Sequence, residues 1–131
     1  MKTSFQIKTT FRVPPSVIYS AWLDSEEHTE MTGGEAQCSD LVGGRFSTWD
    51  GYIKGSNVSL KRHEEIVQRW RTTEFADSDP DSLVTIRLSN HPLGCQMILE
   101  HTDIPDGQPD YEQGWMDYYI TPMTDYFDSQ D

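Results

Sequence analysis

The sequence predicts an α+β fold in which a curved antiparallel sheet packs against one long C-terminal helix, with two short helices after the first strand. Three observations lead there. Apolar residues recur at every second position in several separate segments, the pattern of strands with one buried face. Gly and Asp-Gly punctuate those segments where hairpin turns need positive φ. Residues 111 to 127 instead carry large aromatic side chains at helical spacing.

The elements follow in order. Phe5, Ile7, Thr9, Phe11 and Val13 alternate with Gln6, Lys8, Thr10 and Arg12, giving a strand that Pro14-Pro15 ends. Proline then occupies the first turn of a helix to about Asp24, with Val17, Ile18, Ala21 and Trp22 at helical spacing. Ser25, followed three residues later by His28, starts a second short helix, and residues 32–40, small and polar, read as loop. From Leu41 onward a strand carries Phe46 and Thr48 on one face, Asp50-Gly51 turns the chain, and Tyr52 to Leu60 returns. In Ile66 to Thr73, Ile66, Gln68 and Trp70 face one way and Val67, Arg69 and Arg71 the other.

Asp77 to Ser82 is a loop by composition, and Leu83 to Leu88 and Gln96 to His101 are strands joined by Asn90 to Gly94. Thr102 to Asp110, with two Pro and one Gly, is a connector. Tyr111 to Phe127 forms the long helix, with Trp115, Tyr118, Tyr119, Met123, Tyr126 and Phe127 on one broad face. Pro122 is expected to kink it, and the acidic tail Asp125 to Asp131 to fray. Strands and helices segregated in this way pack as helices on one sheet face.

At 131 residues the chain has the size of one domain, 1–131. Acidic residues outnumber basic ones 22 to 10, and a net charge of −12 repels phosphate backbones and anionic headgroups. Nucleic acid and membrane are therefore not expected as partners, whereas a basic protein patch or a neutral ligand is compatible with the charge. Met1 to Phe5 lacks the apolar run of a secretory signal and nothing later has the length of a membrane span, so a cytoplasmic location is expected. Cys38 and Cys95 have no ligand-like spacing and read as free thiols in a reducing compartment, with a disulfide as the lesser alternative. Asn57-Val58-Ser59 matches a glycosylation sequon but reads as strand residues.

The chemistry-bearing residues give no catalytic signature. His28, His63, His91 and His101 show neither HxxxH nor HExxH spacing, and no metal is expected. Asp77, Asp79 and Asp81 alternate like the start of an EF-hand loop, yet the required Gly and distal Glu are missing and Pro80 interrupts. No GxSxG elbow, P-loop or dinucleotide fingerprint is present, so no cofactor is expected either. Phe46, Trp70, Met97, Trp115, Tyr119 and Met123 admit two readings, closed core or the lining of a pocket in which Met adapts and Tyr or Trp offers a polar tip. Arg69 and Arg71, opposite Trp70, admit surface pairing to carboxylates or contact with a partner.

Phe11 with Pro15 to Tyr19, Gly43-Gly44-Arg45-Phe46, Asp50-Gly51 with Gly55 and Asn57, Val67-Gln68-Trp70-Arg71, Ile104-Pro105, and Gly114-Trp115 with Tyr118-Tyr119 occur in an order that resembles one family. It is similar to the C-terminal domain of the activator of Hsp90 ATPase, within the START-like or Bet v 1-like (SRPBCC) superfamily. The resemblance implies a helix-grip fold whose sheet encloses a cavity. It also implies a non-enzymatic, co-chaperone-like binding domain with an Hsp90-type chaperone as partner, docked through the region of Arg45, Arg69 and Arg71 or through the acidic surface. In two-domain members this domain contacts the chaperone's N-terminal ATPase region while a separate domain, absent from these residues, binds the middle segment. The alternative implied by single-domain relatives is an apolar, lipid-like small molecule held between the sheet and the C-terminal helix, with Phe46, Trp70, Met97, Trp115, Tyr119 and Met123 as lining. Relatives with enzymatic activity leave that class open, because fold does not fix function.

Overall fold

Alternation along the first strand, β1 (Thr3–Phe11), buries Ile7 and Phe11 and leaves Ser4, Gln6 and Lys8 exposed. The computed structural model describes residues 3–128. After β1 come α1 (Pro15–Leu23), α2 (Ser25–Thr32), β2 (Arg45–Thr48), β3 (Ile53–Lys61), β4 (Glu65–Thr72), β5 (Ser82–His91) and β6 (Gly94–Ile104). A continuous helical run follows, α3 (Tyr111–Trp115), a π-helical turn (Met116–Ile120) and α4 (Thr121–Asp128). The strands form one antiparallel sheet in the order β1-β6-β5-β4-β3-β2. Four successive hairpins build β2 to β6, and β1 closes the sheet beside β6, with Ile7 opposite Leu99 and Phe11 opposite Cys95. This curved sheet with the C-terminal helix against it is the helix-grip α+β fold.

The core lies between sheet and helices. Ile66, Val84, Ile86, Met97 and Leu99 from the strands meet Ile18 of α1 and Met123 of α4, all fully buried. α2 is started by Asp24 and not by Ser25. The Glu27 N–H donates to Asp24 Oδ2 at 2.9 Å, a cap worth about 1 kcal/mol. Gly33, at φ 85, ends the helix with its N–H on the Thr29 carbonyl.

Strand limits shift where turn chemistry outweighs β-propensity. β2 begins only at Arg45, because Gly43 (φ 82) and the bend before it keep Leu41 and Val42 in an exposed loop. Trp49, Asp50 and Gly51 take φ of 54°, 57° and 87°, so the β2–β3 turn is wider than an Asp-Gly pair and β3 starts at Ile53. β6 continues through Thr102 to Ile104, which the expected connector had left out, with a bulge where Asp103 takes φ 63 opposite the Thr3–Phe5 register shift. Asn57 of the sequon is buried, and its amide donates to the Ser39 and Leu41 carbonyls at 2.8 and 3.0 Å, so it pins the 39–41 loop.

Pro122 acts on the turn before it. The Thr121 N–H bonds to the Met116 carbonyl, five residues back, and this wider turn carries the chain to a proline that has no N–H to give. The expected single aromatic face is corrected accordingly. Trp115, Tyr119, Met123 and Phe127 are buried, Tyr126 is half-buried, and Tyr118 turns outward at 58% exposure. Asp125 to Asp128 belong to α4, and the rest of the expected fraying tail, residues 129–131, lies outside the described residues. Cys38 and Cys95 are free, with Cys95 fully buried. Among the described residues no helix is long and apolar enough to cross a membrane.

Candidate functional site

The β2–β3 turn, the end of β4 and the first two turns of the C-terminal helical run leave a cleft of about 380 Å³ between them. Trp49, Tyr52 and Ile53 come from the turn, Trp70 from β4, and Tyr111, Trp115, Tyr118 and Tyr119 from the helical run. Pro109, Asp110 and Gly114 complete the wall, so most of the lining is aromatic. Its rings meet at steep angles. Trp70 and Tyr111 are 5.0 Å apart at 82°, and Trp49 and Tyr118 are 5.4 Å apart at 70°. Each such edge-to-face pair contributes about 0.5–1.5 kcal/mol beyond its buried area, which stiffens the wall.

The segment that carries Tyr111 is tied to β4 by its own polar groups. The Tyr111 hydroxyl lies 2.6 Å from Thr72 Oγ1 and donates to Gln108 Oε1 at 2.7 Å, and Gln108 Nε2 donates to the Glu74 carbonyl. Asp110 caps α3 by accepting the Gln113 N–H. The Tyr52 hydroxyl donates to the Glu74 carboxylate, which sets a negative charge at the edge of the cleft. The Trp49 indole nitrogen is a buried donor with no acceptor in bonding geometry.

Two buried histidines fix the rings behind the cleft. The Trp115 indole N–H donates to His101 Nδ1 at 3.1 Å, so the His101 proton sits on Nε2 and goes to Ser82 Oγ at 2.8 Å. Ser82 Oγ in turn donates to the Trp70 carbonyl at 2.7 Å. His28 Nδ1 donates to the Trp22 carbonyl at 2.9 Å, leaving Nε2 to accept the Tyr119 hydroxyl at 3.0 Å. Thr48 Oγ1, 3.2 Å from that hydroxyl, completes the chain. Burial holds both imidazoles neutral by pushing their pKa down, to about 4 for His28 and about 3 for His101. Burial likewise raises the Tyr119 phenol, and it raises the Cys38 thiol to about 12, so neither is an activated nucleophile.

A family model described as Activator of Hsp90 ATPase homolog 1-like protein matches residues 12–128. The chain belongs to this family. It is 26% identical over 114 residues to an activator of 90 kDa heat shock protein ATPase homolog from Dictyostelium discoideum, covering 86% of this chain and 30% of that protein. An uncharacterised Schizosaccharomyces pombe protein is 27% identical over 129 residues, covering 90% of this chain and 35% of that protein. The chain thus spans about a third of the length of the curated relatives it matches. Among solved structures, an HSP90 activator from Plasmodium falciparum superposes with a TM-score of 0.80 at 27% identity, covering 90% of this chain and 91% of that one.

In this Hsp90-activator-like domain the six residues singled out for a cavity separate into three groups. Trp70, Trp115 and Tyr119 line the cleft. Phe46 instead borders an internal void of about 10 Å³, beside Trp22, His28 and Gln68, room for one water at most. Met97 and Met123 are fully buried in closed core. The sequence reading missed Trp49, Tyr52, Tyr111 and the two histidines behind the rings. His101 had a visible signal, its period-2 place after Met97 and Leu99, whereas His28 meets Tyr119 across 91 positions.

Arg45 and Arg69 both lie across from Ser56 on neighbouring strands, on the outer sheet face with Lys54. Both are exposed, and neither forms an ion pair among the described residues. Arg71 is different. It pairs with Asp81 at 2.8 Å, donates to the Asp79 and Ala76 carbonyls at 3.0 Å each, and stacks over Phe75. Asp79 accepts the Ala76 N–H, so these acids organise their own loop. Among the described residues no group of three or more His, Cys, Asp or Glu could hold a metal ion.

Proposed function

We propose that this domain is a non-enzymatic binding module that docks on an Hsp90-type chaperone in the manner of a co-chaperone. The observation that carries this reading is the 27% identity to an HSP90 activator over nine-tenths of both chains. Arg45 and Arg69, with Lys54 between them, make a basic island on a protein of net charge −12. Such an island suits an acidic patch on a partner, and arginine is favoured at interface anchors. Arg71 supports the island by holding the 76–81 loop. We place the domain in the cytoplasm, where free thiols such as Cys38 and Cys95 stay reduced.

The test is a calorimetric titration of the whole chain into the Hsp90-type chaperone of its source organism, with nucleotide, at two salt concentrations. Saturable binding that weakens with salt is expected, and Arg45→Glu with Arg69→Glu weakens it by about tenfold or more. Binding indifferent to that pair removes the docking face, and no heat at tens of micromolar overturns the chaperone reading.

A second reading rests on the cleft. Its size and aromatic wall suit a small molecule of apolar character held between the β2–β3 turn and the helical run. A neutral dye such as Nile red would brighten on binding there. Tyr118→Ala, at an exposed rim position, abolishes most of that signal while lowering the unfolding midpoint by only a few degrees through loss of the Trp49 contact; an unchanged signal places the dye elsewhere.

A further inference from the structure

Aromatic rings give a cleft more than apolar area, because each ring face carries negative electrostatic potential that attracts a cation. Here Trp70 and Tyr111 stand nearly perpendicular, as do Trp49 and Tyr118, so the rings wall the space in more than one plane. Trp115 is tilted by 49° on Tyr119 at 4.7 Å. Among the described residues, the full charges nearest the rings are carboxylates. Asp110 is the charged residue of the lining, and Glu74 is bound to the Tyr52 hydroxyl. Among the described residues no Lys, Arg or His lines the cleft, in contrast to the hollows around Arg45 and Lys54 and around Arg62 and His63.

Rings without the carboxylates would serve any flat apolar molecule. Carboxylates without the rings would serve hydrated metal ions or ammonium groups with protons to donate. Together they select a cation that is bulky, weakly hydrated and has no N–H to satisfy. We propose that the cleft binds a trimethylammonium group carried on a short chain, with the rings replacing the water lost by the cation and Asp110 and Glu74 balancing its charge. The inference rests on the cleft being a ligand site, and it gives that site a ligand class. A fatty acid of similar length, whose carboxylate would face Asp110 and Glu74, is disfavoured for the same reason.

The test compares choline with 3,3-dimethylbutan-1-ol, which has the same shape and no charge, by titration of the whole chain followed through tryptophan fluorescence. Choline is expected to bind at least tenfold more tightly. Asp110→Asn keeps a side chain able to cap α3 and removes the charge, so it weakens choline several-fold and leaves the alcohol unchanged. Equal binding of the two compounds overturns the cation proposal and leaves the ligand site intact. Nile red binding with no response to choline at tens of millimolar does the same, and silence of all three probes removes the site itself. Short-chain phosphatidylcholine, below its micellar concentration, separates the two sources of the group. Competition with choline assigns it to a lipid headgroup, and choline binding without competition assigns it to a free alkylammonium, either result upholding the chemistry.

Discussion

His28 and His101 show how single side chains set the rigidity of the aromatic wall and also make it sensitive to acid. Each ring is neutral when folded, with its pKa lowered by burial from 6.5 to about 4 and about 3 respectively. As pH falls below about 6.5 the unfolded chain takes up a proton on each ring and the folded chain does not. The stabilising preference is therefore complete above that pH and is lost downward, through about 4 for His28 and 3 for His101. At pH 5.5, where most carboxylates stay ionised, the loss is roughly 1 kcal/mol per ring. Urea unfolding at pH 7.5 and 5.5 checks this, and a drop that His28→Gln and His101→Gln fail to flatten would assign the acid sensitivity to other groups. At this scale the sequence showed part of the site. Period-2 spacing put Trp70 on one face with Ile66 and Gln68, and the same alternation past Met97 and Leu99 held the signal for His101 that the reading did not use. It could not tell that Met97 closes the core while Trp70 walls a cleft, because that depends on which neighbours from distant segments fill the space. Nor could it tell that Arg71 is committed to Asp81 while Arg69 is not.

Among the elements, the π turn decides where the aromatic residues of the C-terminal helix point. A π turn holds one residue more than the α-helix around it, so removing one there lets both flanks keep their faces. Deletion of Tyr118 would then keep Trp115, Met123 and Phe127 directed inward, but it would force Pro122 into a regular helix at a cost of about 3 kcal/mol. The deletion combined with Pro122→Ala is expected to recover most of that loss. Deletion of Thr124 instead rotates Phe127 out of the core by one residue's turn and is not rescued by Pro122→Ala. Thermal unfolding of the variants checks the order, and rescue of both deletions alike would mean that the turn absorbs no extra residue. The sheet was readable because alternation and turn residues are local. Pro122 announced an irregularity, but whether it would bend the helix or widen a turn depends on packing of Trp115 and Tyr119 against β4 and α2. The β2 start was misplaced for a related reason, since Leu41 and Val42 look like strand residues until Asn57 is seen holding their loop from β3.

At the scale of the whole molecule, charge opposes folding and favours discrimination between partners. The net charge of −12 is spread over a surface of 7084 Å², and the ion pairs are modest. Arg71–Asp81, Arg87–Glu65 and Arg87–Glu100 have side chains between 22% and 52% exposed, which makes each worth about 0–1 kcal/mol. Screening removes little by weakening these pairs, but it relieves repulsion among carboxylates spread over the rest of the surface. The melting temperature of the isolated chain is therefore expected to rise by a few degrees between about 20 and 300 mM sodium chloride. The proposed docking of the Arg45–Arg69 face and the proposed choline binding beside Asp110 are both expected to weaken over the same range, since each depends on attraction between unlike charges. The opposite signs separate loss of binding from loss of fold: a variant that binds less at high salt while melting higher has lost electrostatic attraction, not structure. A melting temperature that falls with salt would instead put the ion pairs, with the 76–81 loop held by Arg71 foremost, above the repulsion, and Arg71→Met would then lower stability by more than the exposed pair alone accounts for.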